Sequence, residues 1–177
     1  DINAKDAKGW SALTFAASED HRDSVQFLLE KHADINSKDN LGATALMYAA
    51  LNGRTSIVKI LVDKGADVNA KNNKGQAVLS VSAEEGHIEI VKALLNRGSD
   101  VNASNDVGRS ALFYAAQGGH TTVVQVLAAS GAQINARDNH GQTALIGAAV
   151  NGHAETVNAL IEKGADPDLQ TSDGTTA

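Results

Sequence analysis

Gly42-Ala43-Thr44-Ala45-Leu46 returns, lightly altered, every 33 residues along this chain. The other copies are Gly9-Trp10-Ser11-Ala12-Leu13, Gly75-Gln76-Ala77-Val78-Leu79, Gly108-Arg109-Ser110-Ala111-Leu112 and Gly141-Gln142-Thr143-Ala144-Leu145, and Gly174 opens a sixth. A constant period without insertions means one structural unit stacked on copies of itself. Such an array turns its length into surface, which suits holding a partner better than building a reaction centre.

The unit Asp39 to Lys71 shows how one copy folds. Asp39-Asn40-Leu41-Gly42 carries turn chemistry. Thr44 stands at an N-cap, which predicts a short helix over Ala45 to Ala50. Asn52-Gly53 breaks it, and a second helix follows from Thr55 to Asp63. Its apolar residues Ile57, Val58, Ile60, Leu61 and Val62 wrap most of the way round, so more than one side is buried. Gly65 closes it as a left-handed cap. Ala66-Asp67-Val68-Asn69-Ala70 then leads out as an extended finger. First helices repeat Ala16-Ala17, Ala49-Ala50, Ala115-Ala116 and Ala148-Ala149, which allows close approach between neighbours. One helix pair cannot cover both of its faces, so stability comes from the interfaces between copies.

Composition agrees. Of 177 residues 42% are hydrophobic but only 3% aromatic, so the core is built from Ala, Val, Leu and Ile in thin layers. A net charge of −6 argues against general nucleic-acid binding, which needs a basic footprint. The absence of cysteine removes disulfides and thiolate metal sites, and makes a reducing, cytoplasmic setting the default expectation. No apolar run reaches the roughly 20 residues of a membrane span, and no signal-peptide pattern is present. Residues 1–5 match the tail of one unit and residues 171–177 the start of another, which suggests a segment of a longer array.

The repeated phrase, the Gly119-His120 and Gly152-His153 pairs, and Gly65-Ala66-Asp67-Val68-Asn69-Ala70 together resemble the ankyrin repeat. The resemblance covers five full repeats beginning at Asp6, Asp39, Asn72, Asn105 and Asp138, plus both partial ends. It implies one array over residues 1–177, an all-α solenoid of helix-turn-helix pairs with hairpin-like fingers. It implies a scaffold that binds another protein through a concave surface, without catalysis and without a cofactor. A mechanical spacer, or a targeting segment of a larger and even enzymatic protein, is the alternative. A monomer is expected, with end-to-end association open to it through apolar stacking faces.

The departures carry expectations of their own. Ala12, Ala45, Val78, Ala111 and Ala144 stand at the family's proline, and Thr14, Met47, Ser80, Phe113 and Ile146 at its histidine. First helices should therefore fray more readily, and Ala77, lacking a capping hydroxyl, should start the weakest one. Asp20 and His32 replace glycines and should adopt left-handed backbone.

Carried over position by position, the partner surface comprises Lys8, Trp10, Lys38, Asn40, Leu41, Leu51, Asn52, Lys71, Lys74, Gln76, Glu84, Glu85, Val107, Arg109, Gln117, Arg137, His140 and Gln142. Trp10 is either an interface anchor or a cover for the end of the stack. Lys38, Lys71 and Arg137, with Lys8, Lys74 and Arg109, make the fingers locally basic, either to steer an acidic partner segment or as ordinary solubilising charge. Tyr48 and Tyr114, one step inward, belong with the core. His21, His87, His120 and His153 recur at one position, too far apart along the stack to share a metal. His32 and His140 are read as exposed turn residues. The finger asparagines Asn36, Asn69, Asn102 and Asn135 follow a leucine by eight residues, resembling the family's substrates for asparaginyl hydroxylation, though both residues also belong to the framework.

Overall fold

Thr44 Oγ1 accepts the Met47 amide at 3.3 Å and starts a helix at Ala45. Ser11, Ser110 and Thr143 do the same for Thr14, Phe113 and Ile146. Ala77 cannot, and its helix begins without a side-chain cap. In the computed structural model, which describes residues 1–177, such caps open the first helix of four of the five pairs. The elements are Ala12–Ser18 (α1), Arg22–Glu30 (α2), Ala45–Leu51 (α3), Thr55–Asp63 (α4), Val78–Glu84 (α5), Ile88–Leu95 (α6), Ala111–Gln117 (α7), Thr121–Ala129 (α8), Ala144–Val150 (α9) and Ala154–Glu162 (α10). The first helix of the second repeat thus runs one residue beyond the sequence expectation, while its second matches.

Odd-numbered helices pack against one another in one row and even-numbered helices in a second row. One apolar core runs the length of the stack from Leu13 to Ala165. The leucine of the repeated phrase is its central knob: Leu13, Leu46, Leu79, Leu112 and Leu145 are all buried. Truncating any one to alanine costs about 2–5 kcal/mol. The alanines at Ala16, Ala17, Ala49, Ala50, Ala115 and Ala116 are buried between neighbouring first helices, as their size requires. In α4, Ile57, Val58 and Leu61 are buried and Ile60 and Val62 partly so.

The fingers are thinner than hairpins. Pairing across them reduces to single antiparallel bridges, Lys5 with Ser11, Lys71 with Ala77 and Ser104 with Ser110. Asp20 and His32 do take left-handed backbone, at φ 63 and 62. The neighbourhood explains Asp20. At the equivalent Gly53 a Cβ would lie 2.8 Å from the His87 ring of the next repeat, so glycine is required for space as well as for φ. Beyond Asp20 stands Arg54 in place of a histidine, and the Asp20 carboxylate accepts a hydrogen bond from Ser56 instead.

Candidate functional site

The face formed by finger turns and first helices is built on one repeated acceptor. Oδ1 of Asp6, Asp39, Asn72, Asn105 and Asp138 accepts the amides two and four residues later, as Asp39 does from Leu41 and Ala43 at 2.8 Å. This folds each turn so that Lys8, Leu41, Lys74, Val107 and His140 form the row of finger tips. Their side chains are exposed, while their carbonyls accept the amides of Asn40, Asn73, Asp106, Asn139 and Ser172 in the following finger. Asn40 also donates its side-chain amide to Ala7 O, which gives it a framework duty.

At three of these five positions the other side-chain atom finds a partner, each time a different one. Asp39 Oδ2 accepts the Tyr48 hydroxyl at 2.6 Å. Asn105 reverses the polarity, its Nδ2 donating to the Tyr114 oxygen at 2.8 Å. Asp138 Oδ2 accepts Arg109 Nε from the preceding repeat at 2.9 Å. Tyr48 and Tyr114 are therefore half-buried groups of this face rather than core; a phenol needs a partner for its hydroxyl, and the finger turn supplies one. Burial, then the hydrogen bond to Asp39 and its charge, push the Tyr48 phenol up to about 12. Burial and then the Glu84 charge also raise Tyr114, against the opposing Arg109 charge and Asn105 amide. For Asp138, burial pushes the carboxyl up, but the Arg109 hydrogen bond, the Gln142 and His140 amides and the Arg109 charge together hold it below the usual carboxylate range.

Two clefts open between fingers and helices. One, of about 180 Å³, gathers Leu41, Ala43, Met47, Tyr48, Leu51, Asn72, Gln76, Val81 and Glu84. It thus brings together Leu41, Leu51, Gln76 and Glu84 from the sequence-based surface, with Glu84 Oε2 accepting from Gln76 Nε2 at 2.8 Å. Glu85 follows at the C-cap of α5. The second, more polar, holds His140 and Gln142 beside Ile146, Val150, Thr171, Ser172, Asp173 and Thr175. Leu41 is 68% exposed, Val107 41% and Leu51 40%. Trp10 is half-buried, its ring 4.5 Å from that of Tyr48 and 4.8 Å from that of Phe15, joining the first repeat to the second.

The cations are less free than their exposure suggests. Lys5 Nζ donates to Lys38 O, Lys38 to Lys71 O and Lys71 to Ser104 O, each at 2.8–2.9 Å and each to the equivalent residue of the next finger. Arg137 reaches Gln170 O in the same way. Ser104 is too short to continue this ladder, and there Arg109 spans the interface to Asp138 and Gln142, lying 4.5 Å over the Phe113 ring. Lys8 and Lys74 alone among the finger cations make no side-chain hydrogen bond.

The histidine row serves the framework as well. His87, His120 and His153 place Nε2 on Leu51 O, Glu84 O and Gln117 O at 2.8–3.1 Å, and Arg54 Nε does the same to Ser18 O. Each supplies a donor to a carbonyl that the end of a first helix leaves without an intrahelical partner. Asn52 adds a second donor at Ser18. His32 and His140 are exposed. No group of three or more His, Asp or Glu side chains is placed to hold a metal ion.

Sequence reasoning missed Met47, Tyr48 and Val81 in the cleft beside Leu41. A usable signal was present for Tyr48: a hydroxyl nine residues after a turn acidic residue or amide recurs as Asp39/Tyr48 and Asn105/Tyr114.

The model for ankyrin repeats in three copies matches residues 1–72, 33–105 and 79–171. This chain belongs to the ankyrin-repeat family. Ankyrin repeats are generally protein–protein interaction modules, typically without catalysis of their own. A search of the curated proteins finds no match. No helix of this ankyrin array is long and apolar enough to cross a membrane.

Proposed function

We propose that this ankyrin array binds another protein through the face made by its finger tips and first helices, and contributes position rather than chemistry. The observation that carries this is the exposure of Leu41, Leu51 and Val107 on that one face. Apolar groups left exposed together on one face mark an interaction site. The fixed backbone of the finger turns favours this use, because side chains on a rigid support lose little freedom on binding.

The test compares capture by the parent with capture by a Leu41→Glu/Val107→Glu variant of matched melting temperature, using extract of the source cells. A protein retained by the parent and lost by the variant is the expected result. Identical capture profiles would refute the assignment and leave the array as a spacer.

A further inference from the structure

The cleft beside Leu41 has a shape and a charge that describe its occupant. Met47 and Val81 are buried at its floor, and Leu41, Leu51 and the Tyr48 ring form its sides. Its volume of about 180 Å³ falls below the ~300–1,000 Å³ of small-molecule sites. An apolar cavity of roughly 150 Å³ takes one benzene ring, so this cleft fits a single bulky side chain.

Glu84 is the one charged residue lining it. Three ion pairs exist in the protein, Lys92–Glu89, Arg97–Asp63 and Arg109–Asp138, and neither Glu84 nor Glu85 belongs to one. The only side-chain donor to the Glu84 carboxylate is the neutral amide of Gln76. No cation lines the cleft; Lys38 and Lys71 run along the stack to the next carbonyl, Arg109 is held at Asp138, and Lys74, between the lining residues Asn72 and Gln76, is exposed at its finger tip. Both glutamates also sit at the C-terminal end of α5, where negative charge opposes the helix dipole. Beyond the Gln76 hydrogen bond the fold gains nothing from these charges there, whereas a bound cation would.

We propose that this cleft takes one large aliphatic or aromatic side chain of an extended partner segment, with a Lys or Arg one or two residues away set against Glu84 and Glu85. Extended chain advances about 3.4 Å per residue, which places such a neighbour over the rim. The proposal rests on the reading that the finger and first-helix face is the binding face, and it gives the partner a basic-apolar segment rather than an acidic one.

The experiment pans a phage-displayed random dodecamer library on the full 177-residue protein and measures the enriched peptides by fluorescence polarisation. Enriched sequences should share a bulky apolar residue with Lys or Arg within two positions. Their affinity should fall about tenfold for Leu41→Asn/Leu51→Asn. For Glu84→Lys/Glu85→Lys it should fall about fivefold and lose its salt dependence. Glu84→Gln/Glu85→Gln should lie between. Lysine at these positions suits the helix dipole, so folding is preserved, and circular dichroism verifies it for all variants. Enriched peptides that are acidic, lack an apolar anchor, or ignore both pairs of substitutions overturn the proposal. If such peptides are instead weakened by Val107→Glu/Gln142→Glu, the binding face stands and only the cleft assignment falls. If no peptide is enriched, or binding survives every variant, both fall.

Discussion

Replacing Arg109 by methionine isolates the interaction that joins the fourth repeat to the fifth. The Asp138 side chain has no exposure and that of Arg109 26%, so the pair is largely withdrawn from water. Methionine keeps most of the aliphatic packing on Phe113 but leaves Asp138 Oδ2 without its donor. Breaking a fully buried pair costs roughly 3–5 kcal/mol. Asp138 retains two amide hydrogen bonds at Oδ1, so the loss is nearer that of one charged hydrogen bond, about 1.5–3 kcal/mol. The lost cation–π contact with Phe113 adds about 0.5–1 kcal/mol. With a urea slope of about 2 kcal/mol/M, the midpoint should drop by roughly 1–2 M at neutral pH. The sign with pH follows from the depressed Asp138 carboxyl. Its stabilisation is complete above the unfolded value of about 3.9 and is lost as pH falls below that through the folded value. In the variant burial acts unopposed by Arg109, so the gap between the two proteins should narrow as Asp138 protonates. Urea titrations at pH 7 and pH 3 read this directly, and Asp138→Asn in the variant background should restore part of the loss. An unchanged midpoint at pH 7, or the same loss at both pH values, would refute the reasoning.

Restoring a cap with Ala77→Ser should stabilise the array by about 1 kcal/mol, read as a higher thermal midpoint; no change would mean α5 is held by packing alone. Gly53→Ala and Gly65→Ala share positive φ, at 68 and 91, but only Gly53 faces a neighbour, the His87 ring. Gly65→Ala should cost about 1–2 kcal/mol and Gly53→Ala clearly more in urea unfolding; equal costs would remove the steric argument. Ultraviolet titration should show one of the two tyrosines ionising near pH 12, and Tyr48→Phe should remove that step. Because the Tyr48 value is raised on folding, its stabilisation is present below pH ~10 and lost as pH rises from there towards the folded value.

The 33-residue register carried the helix pairs, the caps at Thr44 and its equivalents, and the left-handed Asp20 and His32, because each depends on residues adjacent in sequence. The surface was legible only as positions. Leu41, Val107 and Lys74 are exposed at the tips as their register demands. Lys38, Lys71 and Arg137 also fall at their expected places, but their bonds to the next finger could not be read, since the acceptor is a main-chain carbonyl 33 residues away that every sequence possesses. The histidine row has the same character. Tyr48 was misplaced because its ring reads as core and only the geometry shows the Asp39 carboxylate waiting for its hydroxyl.

The hydrogen bonds between repeats span from 29 to 36 residues, and each helix touches only its own pair and the next ones along. No contact ties one end of the chain to the other. Folding can therefore start from any two adjacent repeats and spread outward like a zipper, with little loop to close at each step. Substitutions two repeats apart should act independently, their effects simply adding. A ligand seated between the second and third repeats would tighten those two links and leave the fifth almost unaware of it.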